Sequence, residues 1–115
     1  MVMSLPKSQR EEVEHWMTEF LNSRRPPERI RNEVDLCYKI ENQSVIIYEM
    51  RRLMDSTQKI ESPVAKTTFV KAQQLWKVYW MRGNLNWHLY EPAEVKSFSQ
   101  FTKLVDADSK GCFFG

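Results

Sequence analysis

At 115 residues, with 42% hydrophobic and 28% charged residues, the chain has one domain's worth of ordinary globular composition and is not a disordered segment. A formal net charge of +2 is too small to argue for nucleic acid on bulk electrostatics, so any basic surface must be local. No apolar run approaches a membrane span, and the start Met-Val-Met-Ser-Leu-Pro-Lys lacks a signal-peptide pattern, so a soluble, cytoplasmic protein is expected.

Val13, Trp16, Met17, Phe20 and Leu21 recur at helical spacing and predict an amphipathic N-terminal helix. Ser8 and Glu11 have capping-box spacing, with Ser4 and Pro6 as a rival start. Pro26 and Pro27 end the helix because neither supplies an amide, and a single turn can restart at Pro27 and run through Arg31. From Val34 the apolar period becomes two: Val34, Leu36, Tyr38 and Ile40 alternate with Asp35, Cys37 and Lys39, the pattern of a half-buried strand. Asn42-Gln43 turns the chain into Val45–Met50. A two-residue loop would pair Tyr38 with Ile47 and a three-residue loop with Tyr48, and the pattern alone leaves both open. Arg52 to Pro63 is polar and aperiodic and reads as a loop.

Gly83-Asn84 signals a two-residue hairpin of type II′. That turn sets Trp80 opposite Trp87 and Val78 opposite Leu89 on one face, with Tyr79–His88 and Lys77–Tyr90 on the other. A preceding turn at Gln73-Gln74 adds Phe69 beside Val78 and Thr68 beside Tyr79. The result is a sheet with a tryptophan face and a mixed face. Val95, Phe98, Phe101, Thr102, Leu104 and Val105 form a second helical stripe, and the Ser97/Gln100 capping box starts the regular helix at Phe98. The stretch Asp106 to Gly111 stops it, and Phe113 and Phe114 are expected to dock on the core instead of standing exposed. The expected fold is therefore α+β, a single domain over 1–115. It has an N-terminal helix within 1–24, a roughly five-stranded, largely antiparallel meander over 33–90, a C-terminal helix over 95–107 and a docked tail at 111–115, both helices lying on the tryptophan face.

Pro63-Val64-Ala65-Lys66, Trp76-Lys77-Val78-Tyr79-Trp80, Trp87-His88 with Tyr90 and Pro92, and the closing Gly111-Cys112-Phe113-Phe114-Gly115 occur in that order, with Arg25-Pro26-Pro27 and Ile30-Arg31 upstream. From about Arg25 onward the chain resembles the small bacterial family catalogued as domain of unknown function number 3024. One departure is Arg52-Leu53-Met54, where relatives tend to carry a tryptophan just after the second strand. The resemblance implies a bacterial, cytoplasmic origin and carries over no catalytic residues.

Two surfaces stand out as candidates. Lys66, Thr68, Lys77, Tyr79, His88 and Tyr90, with Met81 and Asn86, share the mixed face in the registers above. Aromatics interleaved with lysines can stack bases and neutralise phosphates. The same residues also make a plain solvated face, since aromatic cross-strand pairs stabilise a sheet whatever its role. Arg24, Arg25, Arg29 and Arg31 could hold an anion, or pair with Glu28 and Glu33. Catalysis has little support: Cys37 or Cys112 with His88 is the one nucleophile–base combination, and nothing in the sequence brings them together. Two cysteines and two scattered histidines make no zinc pattern, and Asp106 and Asp108 read as a helix stop before a cation site. No cofactor or metal is expected. The reading that follows is a non-enzymatic interaction domain, with single-stranded nucleic acid as the alternative ligand class. A protein partner, or a second copy pairing along an edge strand such as Val34–Ile40, completes the range.

Overall fold

In the computed structural model, which describes residues 4–54 and 57–114, helix α1 spans Lys7–Arg24 and buries Val13, Met17 and Phe20. Met1–Met3, Asp55, Ser56 and Gly115, which fall in the predicted N-terminal segment, loop and tail, lie outside the described residues. The helix starts directly after Pro6, whose carbonyl accepts from the Arg10 amide at 2.9 Å. The rival start is the one taken, so Ser8 lies inside the first turn and bonds Gln9; the Ser8/Glu11 box does not form. Pro26-Pro27 ends α1, and a 3₁₀ turn follows at Glu28–Ile30 with Pro27 as its cap, outside the turn itself.

Five strands follow: β1 Val34–Glu41, β2 Ser44–Arg52, β3 Lys59–Val70, β4 Leu75–Met81 and β5 Trp87–Val95. They form one sheet in the order β1-β2-β3-β4-β5, each neighbour antiparallel, an uncrossed meander. Helix α2, Phe98–Ala107, joins α1 on one face, and the core is the layer between: Leu36, Val45, Ile47, Ala65, Phe69, Trp76 and Val78 from the sheet against Met17, Phe20, Phe98, Phe101 and Val105. Asn42 adopts a left-handed conformation (φ 56°), which asparagine tolerates. The first hairpin therefore closes in two residues and pairs Tyr38 with Ile47.

Arg52 and Lys59 through Pro63 are strand, not loop. β2 runs to Arg52, β3 begins at Lys59, and the Leu53 amide donates to the Gln58 carbonyl at 2.9 Å. The apolar alternation fades there because neither face of the strand ends is buried, while the backbone ladder continues. A bulge shifts the register between Ile47 and Tyr48, so Ala65 and Pro63 face successive β2 residues and Val64 is extra.

The last two hairpins differ from the expected ones in distinct ways. The β3–β4 loop is Lys71–Gln74, with Gln74 left-handed (φ 52°), so Phe69 pairs with Trp76 and Thr68 with Lys77. That slide is by two residues and leaves both faces as expected. The β4–β5 loop is Arg82–Asn86, closed by Leu85 N donating to Arg82 O at 2.9 Å, with the left-handed residue at Leu85 (φ 62°) and not at Gly83. Tyr79 now pairs with Leu89 and Trp80 with His88, a slip of one residue that inverts β5. His88 and Tyr90 turn to the helix side; Trp87 and Leu89 turn to the open side. Burial agrees, with Tyr90 4% and Leu89 54% exposed. Further along, Lys77 pairs with Glu94, so Tyr90–Ala93 bulges opposite Val78.

Val95 ends β5, and α2 begins at Phe98 with the expected capping box: Ser97 Oγ accepts from Gln100 N, and Gln100 Oε1 accepts from Ser97 N at 3.0 Å. A cap from a distant part of the chain joins it, since Glu12 Oε1 accepts from the Phe98 amide at 2.6 Å. At the other end Asp108, left-handed at φ 42°, accepts from the Phe113 and Phe114 amides at 3.0 and 2.9 Å through its two carboxylate oxygens. The tail docks as expected: Phe113 is buried with its ring 4.8 Å from Tyr90, and the Arg24 guanidinium lies 4.2 Å over the Phe114 ring.

Candidate functional site

With both helices on one side, the other face of the sheet is open, and strand alternation decides what it displays. One row crosses all five strands: Lys39 beside Ile46, Ile46 beside Lys66, Lys66 beside Tyr79, and Tyr79 beside Leu89. Flanking it are the pairs Cys37–Tyr48 and Met81–Trp87 on one side, and Ser44–Thr68–Lys77–Glu94 on the other. Ser44 and Thr68 share a hydroxyl hydrogen bond of 2.7 Å.

The centre of this face is Lys66. Its ammonium lies 5.4 Å from the Tyr79 ring and 5.8 Å from the Trp87 ring, and among the described residues it forms no ion pair. Lys39 is the contrasting case: it bonds Glu61 at 2.9 Å and Glu41 at 3.4 Å while lying 5.4 Å over the Tyr48 ring. Those carboxylates, Glu61 first, raise its pKa and hold it charged. Burial pushes up both the Tyr48 phenol and the Cys37 thiol beside it, so the pair is neutral at pH 7.

Of the predicted binding face, Lys66, Thr68, Lys77 and Tyr79 are together on the open side. His88 and Tyr90 are not, because of the one-residue slip in β5. His88 packs by Trp80, ring centroids 6.2 Å apart, with its Nε2 buried and unpartnered among the described residues; it is across the sheet from Tyr79. Tyr90 belongs to the core. Trp87 and Leu89 take their places, along with Tyr48 and Ile46 from β2. The length of the β4–β5 loop was the signal for the first two, and the Asn42 turn for the second two.

The arginines do not converge on a common anion site. Arg24 donates to the Asp106 carbonyl and carboxylate at 2.9 and 3.0 Å, Arg25 grips Asp35 with two bonds of 2.8 Å, and Arg31 donates to the Pro26 carbonyl at 2.9 Å. Arg29 stands exposed on the 3₁₀ turn, and Glu33 pairs with Arg52. Asp106 and Asp108 are engaged by Arg24 and by the tail amides. Among the described residues no group of three or more His, Cys, Asp or Glu could hold a metal ion. No helix among them is long and apolar enough to cross a membrane.

The Arg25–Asp35 pair carries a pH prediction. Hydrogen bonds from Arg25 hold the Asp35 carboxyl below its usual range, outweighing desolvation, with the Leu36 amide helping. A carboxyl whose pKa falls on folding contributes its full stability above the unfolded value, and loses it as pH falls through the lower folded value. Asp35→Asn is expected to cost up to about 1 kcal/mol at pH 7, as for a good partly exposed pair, and to cost nothing once Asp35 itself is protonated. Urea melts at neutral and strongly acid pH check this; an equal loss at both would remove the ionic account.

A family model matches residues 5–115, and the family is described as Domain of unknown function (DUF3024). No curated protein and no solved structure matches the chain.

Proposed function

The chain belongs to this DUF3024 family, whose description assigns no activity, and we propose from its own surface that it is a non-enzymatic interaction domain acting through the open sheet face, in the cytoplasm of a bacterium. Single-stranded nucleic acid is the ligand class that face fits best. One observation carries the reading: the Lys66 ammonium, in no ion pair among the described residues, lies between the half-buried rings of Tyr79 and Trp87. Aromatic faces on an open sheet stack bases of any identity, and a cation between them meets the phosphate that links the bases. The small net charge suits a short contact of one or two phosphates, not a long tracking groove.

Titrating the ¹⁵N-labelled protein with a mixed-sequence single-stranded oligonucleotide at low and moderate salt tests this. Shifts should cluster on Lys66, Tyr79 and Trp87 and weaken with salt. Trp87→Ala should lower affinity about 5- to 150-fold, the worth of one stacked base. Lys66→Gln should reduce the salt slope by about 0.7, one phosphate's share. Absent shifts, or shifts confined to the helical face, would sink the nucleic-acid reading and leave the open face to a protein partner.

A further inference from the structure

The two edges of the sheet are unlike. β5 carries Pro92 and the Tyr90–Ala93 bulge, both of which disfavour strand pairing. β1 has neither and keeps unbroken register with β2 along its whole length. The Arg52 amide donates to the Glu33 carbonyl, so by antiparallel alternation the odd residues of β1 bond to β2. The amides and carbonyls of Leu36, Tyr38 and Ile40 therefore point out from the edge. One of them is already taken: the Leu36 amide donates to Asp35 Oδ1 at 2.8 Å, and Arg25 holds that same carboxylate with two bonds of 2.8 Å.

We propose that β1 is a guarded dimerisation edge, in which the Arg25–Asp35 clasp occupies the Leu36 amide and its release lets a second copy pair antiparallel to β1 about Cys37. The side chains choose that register. Centred on Cys37, Asp35 of each copy faces Lys39 of the other, Val34 faces Ile40, and Leu36 faces Tyr38. Centred on Tyr38, Asp35 would face Glu41 twice, and centred on Lys39, two lysines would meet. Centring on Leu36 keeps only the short overlap Val34–Tyr38. A two-fold axis at Cys37 runs perpendicular to the sheet, so both pairs of helices lie on one side and the two open faces join into one. The backbone groups of this edge point outward whether or not the open face takes nucleic acid.

Arg25→Ala removes the clasp and leaves Asp35 free for the second copy's Lys39. The wild-type chain should sediment as a monomer at millimolar concentration and the variant as a dimer. Diamide, which takes the hydrogens of two thiols and leaves a disulfide, should crosslink the variant through Cys37. Cα atoms of directly opposed residues in such a pair are about 4.5 Å apart, within disulfide reach. The crosslink should survive Cys112→Ser and vanish in Cys37→Ser, and adding Lys39→Gln to Arg25→Ala should weaken association at least tenfold. Far-UV circular dichroism confirms the fold, and Arg25→Gln, which keeps more of the side-chain stem, repeats the test should Arg25→Ala fail to fold. A folded Arg25 variant that stays monomeric overturns the proposal, as does a wild-type chain that already dimerises through β1. A crosslink running through Cys112 overturns the register.

Discussion

Trp76→Ala is expected to lower stability by about 3–5 kcal/mol, the cost of emptying a large aromatic site in a close-packed core. Trp76 is 1% exposed, its ring lies 5.0 Å from Phe69 and 5.1 Å from Phe98, and Phe98 in turn lies 5.4 Å from Phe101. It joins β3, β4 and the first turn of α2 at one point, so the void cannot be closed by moving a single side chain. Against a typical total of about 5–15 kcal/mol, the loss leaves a marginal fold. Urea unfolding at pH 7 reads it as a fall in midpoint with little change in slope. Trp76→Phe, which keeps a ring, should recover more than half. A loss under about 1 kcal/mol for alanine would mean that the helices and sheet are held together elsewhere.

Asp108→Ala should come second, at about 2–3 kcal/mol, because three effects meet at one residue. The backbone there is left-handed, which costs an alanine about 1 kcal/mol more than a glycine. Its carboxylate takes the Phe113 and Phe114 amides, which would lose their acceptors. Releasing them frees Phe113 from Tyr90. Three substitutions separate the terms: Asn keeps one acceptor and the backbone preference, Gly keeps only the backbone preference, and Ala keeps neither. The expected order of damage is Asn, then Gly, then Ala, with amide exchange at Phe113 and Phe114 accelerating in the same order. If Gly were as stable as wild type, the carboxylate bonds would carry nothing and the tail would be held by its rings alone.

The helices were the most legible part of the chain because their signals are local. The stripe from Val13 to Leu21 and the Ser97/Gln100 box each lie within a few turns, and both formed. The first helix began earlier than Ser8 suggested because Pro6 offers a start that needs no amide. Strand existence was nearly as legible where one face is buried. Between Arg52 and Pro63 both faces are wet, the alternation vanished, and the strand ends were missed. The candidate face was half legible: Lys66, Thr68, Lys77 and Tyr79 survived a two-residue slide between β3 and β4, since an even slide preserves faces. His88 and Tyr90 did not survive the odd slip between β4 and β5, which exchanged them for Leu89 and Trp87.

By itself, then, the sequence determined the class of fold, the order of elements and the capped second helix, because each follows from periodicity or from a contact between near neighbours. Only the tertiary structure decided which aromatics look outward. Side chains on a strand alternate with a period of two, so one residue of loop length reverses an entire face. That one residue was settled by Leu85, not Gly83, taking the left-handed turn, and by Tyr90 finding Phe113 some twenty residues on, contacts that no local pattern records.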